Sequence, residues 1–168
     1  MAKKVKTEAD AAIEFSFAII QQVPPEWPGL CNALVQYDPV FATLGENVHA
    51  SFAFALAVFS VQMRALPNVL KADQAQRIRS IVVQCLDDPE RVLGMYDAEW
   101  DKAVSHAQSP FNAIAAVLYA RLGLSSRVTV EGKQFLCPVL LLALSQVLVK
   151  FGGAWWKQYV AEHEIVSA

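Results

Sequence analysis

Charged side chains are scarce in this sequence. They make up 18% of its 168 residues, whereas an ordinary soluble domain carries about 25%. The formal net charge is −2, and the only basic tract is Lys3, Lys4 and Lys6 at the N-terminus. Binding of nucleic acid normally requires a cationic face that displaces counterions from the phosphates. We therefore expect no nucleic-acid partner.

Cysteine is also rare, and its spacing fits neither a disulfide framework nor a metal site. Cys31, Cys85 and Cys137 lie far apart, and no CxxC or Cys/His ligand spacing occurs. We expect them to be buried free thiols in a reducing compartment. The acidic residues between positions 8 and 14 interrupt what would be the apolar region of a signal peptide. Both features predict a cytoplasmic location.

Motifs that assemble a catalytic site are missing as well. The sequence has no G-x-S-x-G nucleophile turn, and Gly152-Gly153 lacks the lysine and Ser/Thr of a phosphate loop. Glu46 and His49 form a Glu-x-x-His, the spacing that places two metal ligands on one helix face in di-iron bundles. No second such pair completes a site, so we expect neither a metal nor another cofactor. The sequence leaves open a catalytic site whose residues are distant along the chain and come together only in the folded protein.

Apolar residues, by contrast, are abundant. They make up 55% of the chain, and the mean hydropathy is +0.31. The longest uncharged run, 134–149, contains Pro138, which predicts a helix start and leaves twelve residues before Lys150. Twelve helical residues span about 18 Å, well short of the roughly 30 Å of a bilayer core. We therefore expect an apolar helix inside a soluble protein and no membrane span.

Prolines predict where the helices begin. Proline fits the first helical position, and a preceding Asp or Ser can cap the free N–H groups of the first turn. Such pairs are Asp38-Pro39, Asp88-Pro89 and Ser109-Pro110. Trp27-Pro28 and Cys137-Pro138 place a proline in the same way but without a good cap. The result is a chain of many helices, several of them very short.

The pattern predicts an all-α fold, a compact multihelical bundle made by one domain over residues 1–168. Its centre would be two long apolar helices near 47–65 and 138–150, packed against others near 73–86, 97–107 and 110–122. Residues 126–135 alternate apolar and polar side chains around a Glu-Gly turn. They fit a short β-hairpin or a loop.

The first helix is predicted over 7–22, because Thr7 followed by Asp10 approximates a capping box. The spacing of its apolar residues is typical of one amphipathic face. This face consists of Ile13, Phe17 and Ile20, widened by Ala12 and Ile19.

The most aromatic stretch is "GGAWWKQYV", residues 152–160, in a last helix predicted over 154–164. Neighbouring helical residues project about 100° apart, so Trp155 and Trp156 cannot fill one narrow groove. One of them is expected to meet the core, and the other a second element or subunit. Tryptophan and tyrosine are enriched in binding hot spots, so Trp155, Trp156 and Tyr159 are candidate interaction residues; completion of the core is the alternative.

These features favour a non-catalytic helical protein that acts by binding another protein or itself. An alternative is a helical bundle that binds an apolar small molecule, a lipid or an aromatic cofactor, in an internal cavity. That cavity would be lined by Phe52, Phe59, Leu140 and Leu144. A third hypothesis, a metal-dependent or hydrolytic enzyme, would use Glu46 and His49.

Overall fold

A computed structural model of the chain describes residues 3–85, 102–103, 105, 109–124, 128–130, 133–135 and 138–167. The helices are α1 (Glu8–Gln22), α2 (Trp27–Leu34), α3 (Phe41–Leu44), α4 (Val48–Ala65), α5 (Ala72–Cys85), α6 (Pro110–Arg121), α7 (Pro138–Lys150) and α8 (Ala154–Glu162). The strands are β1 (Lys4–Thr7), β2 (Val128–Val130), β3 (Lys133–Phe135) and β4 (His163–Val166). The predicted all-α multihelical fold is confirmed. The predicted start at 88–89, most of the helix over 97–107 and Cys137 lie outside the described residues.

Proline occupies the first turn of α2, α6 and α7, as predicted. The start predicted at 38–39 lies two residues too early, because α3 begins at Phe41 and Asp38 accepts from the Val40 N–H in the turn before it. At the start of α6, Ser109 has the extended backbone of an N-cap residue, but its side chain makes no capping bond. At the start of α1 the predicted capping box is present. Thr7 Oγ1 accepts from the Asp10 N–H at 3.1 Å, and Asp10 Oδ2 accepts from the Thr7 N–H at 3.0 Å.

Helix α4 forms the centre of the core. Every residue from Ala53 to Met63 is buried, and α4 contacts α1, α6, α7 and α8. A helix that is buried all round needs apolar residues on every side, and this run supplies them. The prediction of a central apolar helix near 47–65 therefore holds.

Helix α7 is not central, contrary to the sequence prediction. It packs along α6 and buries one face, which contains Leu140, Leu144 and Leu148. Its opposite face leaves apolar side chains more than half exposed. These are Val139 at 57%, Leu142 at 55% and Val149 at 52%.

Within the described ranges, two segments are long and apolar enough to cross a membrane by length and composition alone. Val48–Asn68 has a mean hydropathy of 1.3 and is 72% buried inside the protein, as a core helix is. Pro138–Glu162 has a mean hydropathy of 1.5 and is only 33% buried. A turn over residues 151–153 divides this second segment into α7 and α8. The absence of a membrane span stays a prediction from the sequence.

Two short strand pairs complete the fold. The predicted hairpin is present, with β2 antiparallel to β3 and Val128 opposite Phe135. The second pair was not predicted: β1 and β4 run parallel, with Lys4 opposite His163 and Thr7 opposite Val166. The last helix consequently ends at Glu162 instead of continuing to 164, because the residues that follow extend along the N-terminal strand.

The apolar residues of α1 lie on two faces, not on the single face that the sequence predicted. Ala12 is fully buried and Ile19 is 7% exposed, and both belong to the core. Phe15, also fully buried, lies with them. Ile13, Phe17 and Ile20 instead face solvent, at 56%, 64% and 54% exposure. The small residues Ala11, Ala12 and Ala18 share the buried face.

Candidate functional site

Trp156 lies at the centre of an aromatic cluster between α1, α4 and α8. It is fully buried, and its ring centroid is 4.7 Å from that of Phe15. Phe15 in turn lies 5.7 Å from Phe59 of α4. The indole N–H of Trp156 finds no acceptor among the described residues. These contacts tie α8 to the core, which is a structural role.

Trp155 takes part in a stack of rings along one side of α8. Its ring lies 4.6 Å from that of Tyr159 at an interplanar angle of 14°, and Tyr159 lies 4.3 Å from His163 at 23°. The three side chains are four residues apart, the spacing that brings helical side chains together. His163, the first residue of β4, extends the stack beyond the end of the helix.

The hydroxyl of Tyr159 anchors this stack to α1. It donates a 2.8 Å hydrogen bond to Glu14 Oε2, and Lys6 Nζ binds the other oxygen of the same carboxylate. Burial, and then the hydrogen bond to Glu14, raise the pKa of Tyr159. Burial raises the pKa of Glu14, but the hydrogen bonds from Lys6 and Tyr159 outweigh it, so this pKa is lowered. The Glu14 carboxylate thus links Lys6 of β1 and Tyr159 of α8 to α1.

The three candidate interaction residues therefore do not form an exposed anchor. Trp156 is fully buried and Tyr159 is 7% exposed, while Trp155 is partly buried against the core. Trp156 is thus the more deeply buried of the two tryptophans, and Trp155 packs against the same core, with its ring 5.2 Å from that of Phe15. These three residues therefore do not provide an exposed interaction surface.

The four residues expected to line an internal cavity are not brought together around one. Phe59, Leu140 and Leu144 are packed within the core at 5%, 1% and 0% exposure. Phe52 lies near the start of α4 and is 51% exposed, so it cannot line an interior space. The grooves described below have other linings.

Glu46 and His49 do not share a helix face. Asn47 caps α4, its Oδ1 accepting from the Ala50 N–H at 3.0 Å, so Glu46 lies outside the helix. Both Glu46 and His49 are exposed. Within the described residues, no three His, Cys, Asp or Glu side chains are grouped to hold a metal ion.

The two described cysteines are free and differ in their surroundings. Cys31 is buried in the core, and burial raises the pKa of its thiol to about 12, which suppresses the reactive thiolate. Cys85, at the end of α5, is exposed, so the expectation of burial is wrong for this residue. Neither is paired with a second cysteine or a metal within the described part of the chain.

The outer face of α1 is, like the exposed face of α7, an apolar surface that the sequence analysis missed. Ile13, Phe17 and Ile20 follow the i, i+4, i+7 spacing, so they form one stripe along the helix. We call these three residues the α1 stripe. A signal for it was present, because α1 carries more large apolar residues than one core face can bury: the buried set already includes Phe15 and Ile19.

An open groove lies between α1, α4 and α8. Its volume is about 390 Å³. Its lining includes Ile19, Val23, Val58, Gln62, Phe151 and Trp155. A narrower groove of about 250 Å³ begins on the other side of Phe151, between α2 and α7. We call the first of these the α1/α8 groove.

A further groove of about 450 Å³ lies beside the start of α6, between α4 and α5. Arg64 and Arg79 line it together with Pro110. Both arginines already have interaction partners.

Comparison with family models, with curated proteins and with solved structures gave no match to this chain. The surfaces and side chains described above are therefore the basis for inferring its function.

Proposed function

We propose that this protein is a non-catalytic helical module that binds a second copy of itself through the α1 stripe. The supporting observation is that Ile13, Phe17 and Ile20 are all more than half exposed on one helix face. Exposed apolar residues that occur singly are normal, but a contiguous row of them marks an interaction site. The earlier candidate, the C-terminal tryptophans, is replaced because Trp156 is buried.

The spacing of the stripe suits a twofold contact between antiparallel helices. If Ile13 of one copy lies opposite Ile20 of the second copy, the two Phe17 side chains meet near the axis. A surface that pairs with itself in this way gives a closed dimer. Ridges formed by residues four apart are also those that most often interlock between packed helices.

Charge favours the antiparallel arrangement over the parallel one. The acidic residues Asp10 and Glu14 lie in the first half of α1, and its last turn carries no charge. A parallel pair would bring each of these carboxylates towards its own copy. An antiparallel pair places them beside the uncharged end of the other helix and also opposes the helix dipoles favourably.

The amount of apolar surface predicts a weak dimer. Fully burying a large apolar side chain contributes about 1.5–3 kcal/mol. Six side chains that are already about half buried would together contribute about 5–9 kcal/mol. Loss of translational and rotational freedom on association opposes this with about 4–15 kcal/mol. The most favourable balance of these figures is about 5 kcal/mol, so we expect reversible, concentration-dependent association with a Kd of about 0.1–1 mM or weaker.

A cysteine placed near the twofold axis tests this geometry. In a Cys85→Ser, Cys137→Ser background, which removes the exposed thiol of the described residues and the one that lies outside them, Phe17→Cys should form a disulfide-linked dimer under mild oxidation. Phe52→Cys is the matched control, since Phe52 is also about half exposed but lies on α4. Equal crosslinking of both variants, or none in either, would argue against the α1 stripe as the contact.

A further inference from the structure

The groove beside the start of α6, which we call the α4/α5 groove, has the volume of a small-molecule site. Its volume of about 450 Å³ lies within the roughly 300–1,000 Å³ of ligand pockets. Met63, Leu66 and Ala75 are buried and form the apolar part of its lining. Pro67 and Pro110, both exposed, lie at its rim. This lining favours a ligand with an apolar body.

The charge of the α4/α5 groove is opposite in sign to that of the whole protein. Arg64 of α4 and Arg79 of α5 give its described lining a charge of +2, whereas the chain carries −2. No acidic residue is among the described lining residues. Both arginines are only partly exposed, so solvent screens their charge less than it would on an open surface. The groove therefore favours an anionic ligand.

Neighbouring charges on α4 and α5 do not cancel this potential. Helix α4 has no acidic residue, and the single one in α5, Asp73, is 69% exposed and pairs with Arg77 at 3.1 Å. The groove lies near the end of α4 and the start of α6. The partial charges of two such helix ends are opposite and offset each other. The two arginines therefore determine the sign of the potential.

The existing partners of Arg64 and Arg79 are compatible with a bound anion. A guanidinium group presents five N–H donors in a planar fork, so one arginine can bind an acceptor of the protein and an acceptor of a ligand at the same time. Carboxylates match this fork through two parallel hydrogen bonds. A guanidinium is also more weakly hydrated than an ammonium group, which suits binding in a partly buried groove.

We propose that the α4/α5 groove binds a small organic anion, with the carboxylate against Arg64 and Arg79 and the apolar body against the buried lining. The site is separate from the α1 stripe, since none of the three stripe residues is among its described lining residues. None of the four residues expected from the sequence to line an internal cavity is among them either. Failure of this proposal and failure of self-association through α1 are therefore distinguishable.

Two probes of nearly the same shape but different charge test the proposal: 2-naphthoate and 2-naphthamide. Titration of the full-length protein, followed by NMR of backbone amides, should show saturable shifts at Ala75 and Gln76 with 2-naphthoate. The amide should bind at least about tenfold more weakly, because it makes no charge-assisted hydrogen bonds as an anion does. Absence of saturable shifts with 2-naphthoate, or equal affinity for both probes, would overturn the proposal.

Variants on α5 locate the bound anion. Gln76→Glu adds a negative charge at an exposed lining position, so it should weaken the binding of 2-naphthoate about three- to tenfold. Gln84→Glu is the matched control, since Gln84 is exposed on the same helix but outside the described lining. Arg79→Gln should reduce the preference for 2-naphthoate over 2-naphthamide. An affinity that is unchanged in Gln76→Glu, or equally weakened in Gln84→Glu, would contradict binding in this groove.

Discussion

Arg77 of α5 binds the buried carboxylate of Glu8 through three hydrogen bonds, two from Nε and one from Nη2. Arg77 Nε lies 3.0 Å from Oε2, and Nη2 lies 2.9 Å from Oε1. Glu8 is 5% exposed, and its Oε1 also accepts from Ser167 Oγ at 3.2 Å. The first residue of α1 therefore connects α5 with the end of the chain. This ion pair holds the paired terminal strands against the helical body.

Loss of the arginine should leave a buried carboxylate without its partner. We expect Arg77→Met to lower the free energy of unfolding by about 2–3 kcal/mol, less than the 3–5 kcal/mol of a fully buried pair because Arg77 is partly solvated. Asp73→Asn is the control, since its contact with Arg77 is exposed and should contribute less than about 1 kcal/mol. Urea denaturation measures both. Equal effects would contradict the special role of Glu8.

Stability should fall in acid through the same residue. The hydrogen bond from Arg77 outweighs burial and lowers the pKa of Glu8 below its usual 4.5. A lowered pKa contributes stability that is fully present above 4.5 and is lost as the pH falls towards the value in the folded protein. Glu8→Gln should reduce the dependence of the urea midpoint on pH in this range. An unchanged acid dependence in Glu8→Gln would refute the assignment.

Three glycine-to-alanine substitutions should differ in sign and size. At Gly153, φ is +73° and an added Cβ would lie 2.8 Å from the Ala65 Cβ, so we expect a loss of more than about 2 kcal/mol. At Gly123, φ is +72° but the space is open, and about 1 kcal/mol should be lost. At Gly29, inside α2 with open space, alanine should stabilise by about 0.4–1 kcal/mol. Thermal unfolding ranks the three, and any other order would contradict these contacts.

The two neighbouring tryptophans should respond differently to truncation. Trp156→Ala removes a fully buried ring and should lower the free energy of unfolding by about 3–5 kcal/mol. Trp155→Ala should lower it by about 1–2 kcal/mol, because that side chain is only partly buried. Self-association measured on the folded variants should remain as in the parent protein. If Trp155→Ala makes the protein monomeric, the contact between copies lies on α8 and not on α1.

The helices could be predicted from the sequence because their signals are local. Proline at the first helical position and the Thr7–Asp10 capping box act within one turn, and both appear where expected. The parallel pairing of β1 with β4 has no such signal. It joins residues more than 150 positions apart, and each strand is only four residues long.

The side of a helix that is buried was harder to predict than the helix itself. Periodicity placed Ile13, Phe17 and Ile20 together, but it could not show that the alanine-rich side of α1 packs inside the protein. Small residues let α1 lie close against its neighbours, and Phe15 fills the remaining space in the aromatic cluster. Similarly, the apolar composition of α7 did not reveal that α4 alone occupies the centre.

The hydrogen bond between Gln62 and Phe151 could not be predicted either. The Gln62 amide is oriented by the carbonyl of Phe151, which is 89 residues away in the sequence. The α1/α8 groove likewise combines residues from α1, α4 and α8 with those that follow α7. Because these segments are distant along the chain, no local sequence motif predicts the groove.

Sedimentation equilibrium from about 1 µM to about 1 mM, the range of weak affinities, tests self-association through α1 most directly. The parent protein should shift from monomer to dimer as its concentration rises. Phe17→Ser should remain a monomer with unchanged helicity, and Phe52→Ser, its matched control, should dimerise like the parent. A parent protein that stays monomeric throughout, or a Phe17→Ser variant that dimerises equally well, would contradict a contact made by the outer face of α1.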